Sequence, residues 1–148
     1  MTKPKLLFCA SEGYPFAKSG GLADVVFSLP KILTQEYSLR VVLPLYQSID
    51  RAKFGIVLCE EKVLLMGGIS YKVSFYECQY EGVSYSFVYE KSLCDREFLY
   101  GTSEQEYTDN PLRFGIFKKE IRTRLQLSLP CNKRLTVCAV GILVIVHI

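Results

Sequence analysis

The chain has 148 residues, of which 49% are hydrophobic and 22% are charged. This length suits one domain with a real core, and the composition is typical of a globular protein and excludes a disordered one. The net charge is only +3 and the basic residues are scattered along the chain, so the sequence lacks the concentrated positive charge of a nucleic-acid-binding protein.

The first predicted element is a short buried strand over residues 6–10. The basic residues before it resemble the start of a signal peptide, but its apolar run is shorter than the roughly seven residues that such a signal needs. We therefore expect a cytoplasmic protein without a membrane segment. Cys9 and Cys78 lie in apolar runs where a buried thiol is the default, and the six cysteines form no C-x-x-C pair that favours a disulfide framework or a metal site.

A loop with one lysine and two glycines joins this strand to a predicted helix over residues 22–35. Gly20 and Gly21 lack a Cβ atom, so the backbone is free to take a positive φ and a ligand can approach closely. The helix start directs N–H groups and its positive dipole end at the same place, and Lys18 adds a full charge. The pattern predicts a diphosphate cradle. A tight turn with a solvated lysine is the alternative, because the loop fits neither common phosphate-binding fingerprint.

The predicted helix leads into a second buried strand over residues 39–44. Pro30 removes a backbone donor and is expected to kink or shorten the helix. Strand, helix and strand in succession predict a right-handed βαβ unit with parallel strands, whose ligands bind beyond the carboxyl ends of the strands. The apolar face of the helix is predicted to consist of Leu22, Val25, Val26, Leu29, Ile32 and Leu33.

Three β-rich runs follow, over residues 56–65, 69–80 and 83–89. The pairs Gly67-Gly68 and Glu81-Gly82 between them are typical of hairpin turns, so we expect an antiparallel insert on the parallel sheet. Strict alternation places Tyr71, Val73 and Phe75 on one face. The tyrosines of this region are expected to pack on a half-buried sheet in preference to stacking on a ligand.

Two polar stretches come next, DREFLYG over residues 95–101 and YTDNPLRF over residues 107–114. Thr108 or Asp109 can cap a helix that has Pro111 in its first turn. The apolar face of this helix is predicted to consist of Leu112, Ile116 and Phe117.

Three stretches together resemble bacterial glycogen synthases and plant starch synthases. Residues 11–26, SEGYPFAKSGGLADVV, resemble the N-terminal motif of that family, which has threonine in place of Ser19. An Asp-Arg-x-x-Leu-Tyr-Gly loop and a Tyr-x-Asp-Asn-x-x-Arg-Phe helix start follow in the family's order. The resemblance covers residues 5 to about 118. It implies an α/β fold, namely a partial Rossmann-like N-terminal domain of a GT-B type glycosyltransferase, with a parallel sheet and an antiparallel β-hairpin insert.

The resemblance also implies a reaction, the transfer of glucose from ADP-glucose or UDP-glucose to the non-reducing end of an α-1,4-glucan with retention of configuration. It implies no cofactor and no metal. Lys18 would contact the donor phosphates, and Gly20 and Gly21 would let the glucosyl diphosphate lie against the helix start. Asp24, the candidate catalytic residue, would bind sugar or acceptor hydroxyls or would merely support the first helical turn. A structural role near the cleft is expected for Tyr107, Asp109, Asn110 and Arg113.

Beyond Lys118 the resemblance stops. We therefore divide the chain into a catalytic-domain segment, residues 1–120, and an atypical tail, residues 121–148. The last 14 residues, 135–148, are almost wholly apolar but too few to span a bilayer as a helix. The tail is either a buried parallel strand that ends at His147 or a truncated or out-of-frame product. No catalytic role is assigned to His147.

Family enzymes are several times longer and have a second domain that forms the other wall of the cleft. We therefore expect no glucosyl transfer by this chain alone, and activity only where a longer protein or a second chain completes the site. The alternative is a non-catalytic remnant that binds a sugar nucleotide or a glucan weakly.

Overall fold

The computed structural model describes the backbone of residues 3–128 and 142–147, and the side chains of residues 3–123. Six strands form one sheet in the order β3-β4-β5-β2-β1-β6. In chain order the elements are β1 (Lys5–Ala10), α1 (Gly21–Leu33), β2 (Ser38–Pro44), β3 (Val57–Met66), β4 (Ile69–Tyr80), β5 (Val83–Tyr89), α2 (Lys91–Cys94), α3 (Asn110–Ser128) and β6 (Ile142–His147).

The centre of the sheet is parallel, as the βαβ pattern predicts. β2 pairs in parallel with β1 on one side and with β5 on the other. Successive residues of these strands alternate between two hydrophobic clusters, one on each face of the sheet. Phe8, Val41 and Phe87 belong to the cluster that includes Val26 of α1, whereas the residues that follow them in the chain belong to the cluster that includes Ile116 of α3. Because both faces of these strands are buried, their sequences are almost continuously apolar.

The predicted antiparallel insert is confirmed, since β4 pairs in antiparallel fashion with β3 and with β5. Both central residues of each hairpin turn have positive φ, which is the geometry of type I′ turns. Val73 and Phe75 are buried and Tyr71 is half-buried, so the predicted face is correct. Tyr76 and Tyr80 pack against the core, as expected of tyrosines on a half-buried sheet.

The predicted apolar face of α1 is partly wrong. Val26 is buried and Leu22 and Leu33 are half-buried, but three other members of the face, Val25, Leu29 and Ile32, are 46%, 38% and 62% exposed. The helix instead buries Ala23, Val26 and Pro30, and it continues past Pro30 to Leu33. The side of the helix that carries Ala23, Val26 and Pro30 faces the core, so the part of the predicted apolar face that lies furthest from this side is left exposed.

The start of α3 agrees with the sequence. The carbonyl of Asp109 accepts the first helical hydrogen bond, from the N–H of Arg113 at 2.9 Å, and Pro111 lies in the first turn. Ile116 and Phe117 are buried as predicted, but Leu112 is 43% exposed because the neighbouring Arg113 points into the protein in its place. The proposed boundary at residue 120 falls inside α3, and it remains a prediction.

The tail pairs differently from the parallel strand considered above. β6 is antiparallel to β1, with His147 opposite Lys5 and Ile142 opposite Ala10. Antiparallel pairing satisfies the outer N–H and C=O groups of β1 and is slightly more stable per residue than parallel pairing. The first part of the predicted apolar run, before Ile142, lies outside the described residues.

Cys9 and Cys94 are buried thiols, and burial raises the pKa of Cys94 to about 12. Cys78 is a half-buried thiol whose pKa burial raises to about 11, while Cys131 and Cys138 lie outside the described residues. Within residues 3–128 and 142–147, no helix is both long enough and apolar enough to cross a bilayer.

Candidate functional site

The carboxyl ends of the three parallel strands meet at one edge of the sheet. Ser11 and Glu12 follow β1, Tyr46 comes two residues after β2, and Glu90 follows β5. Glu90 caps α2, because its carboxylate accepts hydrogen bonds from the N–H groups of Ser92 and Leu93. In parallel α/β sheets this is the edge at which ligands bind.

The loop that carries Lys18 is held at this edge by a buried carboxylate. Glu12 is 3% exposed, and its Oε2 atom accepts hydrogen bonds from both the N–H and the hydroxyl of Ser19, each at 2.6 Å. Gly13 and Ala17 form an antiparallel bridge that closes the turn between them. Sequence reasoning did not single out Glu12. Its position directly after a strand and ahead of the lysine-glycine loop was the available signal.

The two glycines face open space. A Cβ atom at Gly20 or Gly21 would meet nothing within 4 Å. Neither glycine uses the positive φ that the absence of a Cβ atom allows, because Gly20 has φ −158° and Gly21 is the first helical residue. No side chain caps α1, so its first N–H groups have no side-chain acceptor from a capping residue. The glycines therefore keep this helix start accessible to a ligand.

Lys18 and Asp24 form an ion pair beside the helix start. The Nζ atom of Lys18 lies 2.7 Å from both carboxylate oxygens of Asp24, and the two side chains are 47% and 57% exposed. Such exposed pairs contribute about 0–1 kcal/mol, so an incoming anion can replace the carboxylate. The structure brings all four predicted site residues together, and it assigns to Asp24 a contact that sequence reasoning did not consider.

Two tyrosines complete the edge. The hydroxyl of Tyr46, a residue that is 2% exposed, donates to the carbonyl of Ser11 at 2.6 Å. The hydroxyl of Ser11 lies 2.6 Å from that of Tyr100, which belongs to the DREFLYG loop after α2. Burial raises the pKa of both phenols, so they stay protonated at neutral pH. Neither tyrosine was predicted as a site residue, because each reaches Ser11 from a distant part of the chain.

The start of α3 holds the loop that carries Tyr100. Asp109 accepts a hydrogen bond from the guanidinium of Arg96, and Asn110 donates to the carbonyl of Tyr100 at 2.7 Å. Within the described residues, no group of three or more His, Cys, Asp or Glu side chains is arranged to hold a metal ion. The absence of a metal and of a cofactor from the reaction remains a prediction.

An α/β sheet with an uncapped helix start, a lysine and two glycines at its carboxyl edge defines a Rossmann-like domain, in which such an edge is a candidate site for an anion. The family model described as the starch synthase catalytic domain matches residues 5–133. The chain therefore belongs to the starch synthase catalytic domain family.

Individual relatives agree with this family. The chain is 41% identical over 115 residues to a glycogen synthase of Geotalea daltonii, an alignment that covers 76% of this chain and 24% of the relative. It is 36% identical over 124 residues to a glycogen synthase of Acholeplasma laidlawii, covering 83% of this chain and 25% of the relative. The chain thus spans about a quarter of the length of these curated relatives.

A solved structure supports the predicted fold class. The catalytic domain of starch synthase IV from Arabidopsis thaliana, solved with ADP and acarbose, superposes with a TM-score of 0.74 at 24% identity. The match covers 86% of this chain and 26% of that protein. The chain has the fold of a partial N-terminal domain of a GT-B glycosyltransferase, and the predicted fold class is confirmed.

Proposed function

We propose that this chain forms one wall of a glycogen or starch synthase active site, which transfers glucose from ADP-glucose to the non-reducing end of an α-1,4-glucan with retention of configuration. The observation that carries the proposal is the open space in front of Gly20 and Gly21, at the uncapped start of α1 and on the loop that carries Lys18. Membership of the starch synthase catalytic domain family supports the same reaction.

The chemistry of the donor explains why this site suits it. When the glycosidic bond of a sugar nucleotide breaks, negative charge builds up on the oxygens of the leaving diphosphate. Fixed donors aimed at that charge lower the barrier, and the N–H groups of α1 are such donors. Lys18 exchanges Asp24 for a phosphate oxygen in this proposal and adds a full positive charge. Gly20 and Gly21 allow the diphosphate to come close to the backbone.

Asp24 and Tyr100 are proposed to face the sugar. Once Lys18 binds phosphate, the carboxylate of Asp24 is available to accept hydrogen bonds from hydroxyls of the donor glucose or the acceptor. The Tyr100 phenol, placed beside Ser11, is a neutral donor at the same edge. Hydroxyl groups surround a glucosyl ring, so one acceptor and one neutral donor suit it.

The proposal also concerns the remainder of the site. A second domain, or a second chain, supplies the opposite wall and excludes water from the reacting atoms. Residues 1–120 form the catalytic-domain segment in this proposal, and residues 121–148 form a tail, of which the family model still matches residues 121–133. We propose ADP-glucose and not UDP-glucose as the donor, because the structure of the Arabidopsis starch synthase was solved with ADP. A cytoplasmic location belongs to the proposal as well.

Calorimetric titration of the folded chain with ADP-glucose tests the proposed site. The wild-type chain should give a heat of binding, and the Lys18→Ala variant should bind about ten- to a hundredfold more weakly, since hydrogen bonds to charged groups contribute about 1.5–3 kcal/mol. Lys72→Ala is the matched control, because Lys72 is an exposed lysine on β4 that pairs with Glu61. A folded wild-type chain that binds no ADP-glucose, or a Lys18→Ala variant that binds as the wild type does, would contradict the proposal.

A second candidate is a non-catalytic fragment that binds a sugar nucleotide or a glucan weakly. The observation that favours it is the exposure of Lys18 and Asp24, which are 47% and 57% exposed, because solvent weakens the electrostatic stabilisation that catalysis needs. Such a fragment would show the same titration, and neither candidate predicts turnover by the chain alone. An assay of glucosyl transfer after addition of a second chain that supplies the opposite wall separates them, because only the first candidate gains activity.

A further inference from the structure

Arg113 of α3 is fully buried, with 0% of its surface exposed. Its guanidinium donates to the carbonyls of Ser92 at 3.2 Å, Leu99 at 2.9 Å and Leu93 at 2.6 Å. It donates also to the side-chain carbonyl of Asn110 at 2.7 Å. No carboxylate among the described residues accepts from it; the nearby carboxylate of Asp109 accepts from Arg96 instead.

Burying a cation without a carboxylate partner costs free energy of desolvation, whereas an apolar side chain of similar volume would pack the helix without that cost. Desolvation lowers the pKa of Arg113, yet the guanidinium remains protonated at neutral pH. Its five N–H donors lie in one rigid plane, so they hold several acceptors in a set arrangement. The geometry therefore indicates a clamp on the backbone of residues 92–99.

The clamp extends by one residue to Tyr100. Because Arg113 holds the amide oxygen of Asn110, the amide nitrogen of Asn110 faces the carbonyl of Tyr100, to which it donates at 2.7 Å. The N–H of Tyr107 donates to the same carbonyl at 2.8 Å. Two successive carbonyls, those of Leu99 and Tyr100, are thus fixed from the start of α3.

The fixed backbone leads directly to the candidate site. The Tyr100 hydroxyl lies 2.6 Å from that of Ser11, and the next residue, Glu12, holds Ser19 in the loop of Lys18. We propose that Arg113 is a positioning residue, which fixes Tyr100 at the carboxyl edge of the sheet so that its hydroxyl contacts the glucosyl part of the donor. The contact with the donor rests on the proposed function, whereas the positioning of Tyr100 does not.

Amide hydrogen exchange of the ligand-free chain tests the positioning. Arg113→Lys keeps the charge but gathers its donors on one nitrogen, so it cannot span four acceptors. We expect the Tyr107 amide to exchange about tenfold faster relative to the amides of β2, as loss of a single hydrogen bond allows. Leu64→Ala is the control, because Leu64 is a buried residue on β3 in the cluster that α3 covers. In that variant, amide exchange should become faster by the same factor at Tyr107 and in β2.

Titrations with ADP and with ADP-glucose test the contact with the sugar. In Arg113→Lys, ADP should bind within about twofold of the wild type, while ADP-glucose should bind about tenfold more weakly, as expected for a hydrogen bond lost from the sugar alone. Tyr100→Phe should reproduce this selective loss, and Leu64→Ala should leave the ratio of the two affinities unchanged.

Either arm can overturn the proposal. In Arg113→Lys, one outcome is that the exchange of the Tyr107 amide accelerates by no more than the exchange of the β2 amides does. That result would show that Arg113 stabilises the domain and does not position Tyr100. If exchange is locally faster but ADP and ADP-glucose weaken equally, the contact with the sugar is wrong. If the wild-type chain binds neither ligand, it is the proposed function that fails, and the exchange result still decides the positioning of Tyr100.

Discussion

At the scale of single residues, the ion pair between Lys18 and Asp24 determines how the loop meets an anion. Without a ligand, both carboxylate oxygens of Asp24 contact the ammonium of Lys18. Asp24 therefore holds Lys18 beside the helix start, but it also competes with a phosphate for the same charge. These two functions have opposite effects on the affinity for an anion. Removal of the carboxylate should therefore change that affinity, and the direction of the change shows which function dominates.

We expect Asp24→Asn to bind ADP about two- to fivefold more tightly than the wild type, since the lost pair contributes about 0–1 kcal/mol. The gain should shrink at high salt, which screens exposed charges. The variant should also lose about 0.3–1 kcal/mol of unfolding free energy in urea, because Asp24 lies at the positive end of the α1 dipole.

Glu61→Gln is the control for this charge change. Glu61 lies on β3, at the far edge of the sheet, and pairs with the exposed Lys72. Its removal changes the net charge equally, so it should leave ADP binding unaltered. Weaker binding of ADP by Asp24→Asn would show that Asp24 positions Lys18 and does not compete with the ligand.

The sequence was informative about one part of the site only. Lys18, Gly20, Gly21 and Asp24 could be proposed as site residues because they are neighbours in one local pattern, and their role in binding stays a prediction. The contacts of Ser11 with Tyr46 and Tyr100, and the burial of Arg113, join residues that are far apart in the chain, so no local pattern carries them. A buried arginine in particular contradicts the usual preference of arginine for the surface.

At the scale of elements, strands were easier to predict than helix faces. β4 and β5 have the predicted bounds because alternation and turn residues are local signals. The exposure of Ile32 on α1, and that of Leu112 on α3, depends on where each helix lies on the sheet, which helical spacing does not determine. The antiparallel pairing of β6 is likewise a tertiary property, and periodicity does not distinguish it from parallel pairing.

The β4–β5 turn tests whether its residues determine the local structure as the sequence predicts. Gly82 has φ +78°, so Gly82→Ala should lower the unfolding free energy by about 1–2 kcal/mol through left-handed strain. Gly115 is the matched control, because it lies inside α3 and an added Cβ atom would meet nothing within 4 Å. Gly115→Ala should stabilise the protein by about 0.5–1 kcal/mol. Urea denaturation measures both variants, and equal destabilisation of the two would contradict the argument.

At the scale of the whole molecule, the chain provides one wall of the proposed cleft. Its cradle lies at an open sheet edge, with Lys18 and Asp24 about half exposed, so water reaches the atoms that would react. Electrostatic stabilisation is weak in water and strong only where solvent is excluded. We therefore expect the chain alone to bind ADP-glucose without catalysing glucosyl transfer.

We expect the 148-residue chain to transfer no measurable glucose from ADP-glucose to glycogen, even at concentrations at which calorimetry shows binding. Incorporation of labelled glucose into precipitated glycogen measures the transfer, and the glycogen synthase of Geotalea daltonii is the positive control. The reason is that one wall alone, even where it binds the diphosphate, does not enclose the transition state. Transfer by the chain alone that disappears in Lys18→Ala would show instead that a second copy, or the tail beyond residue 120, closes the cleft.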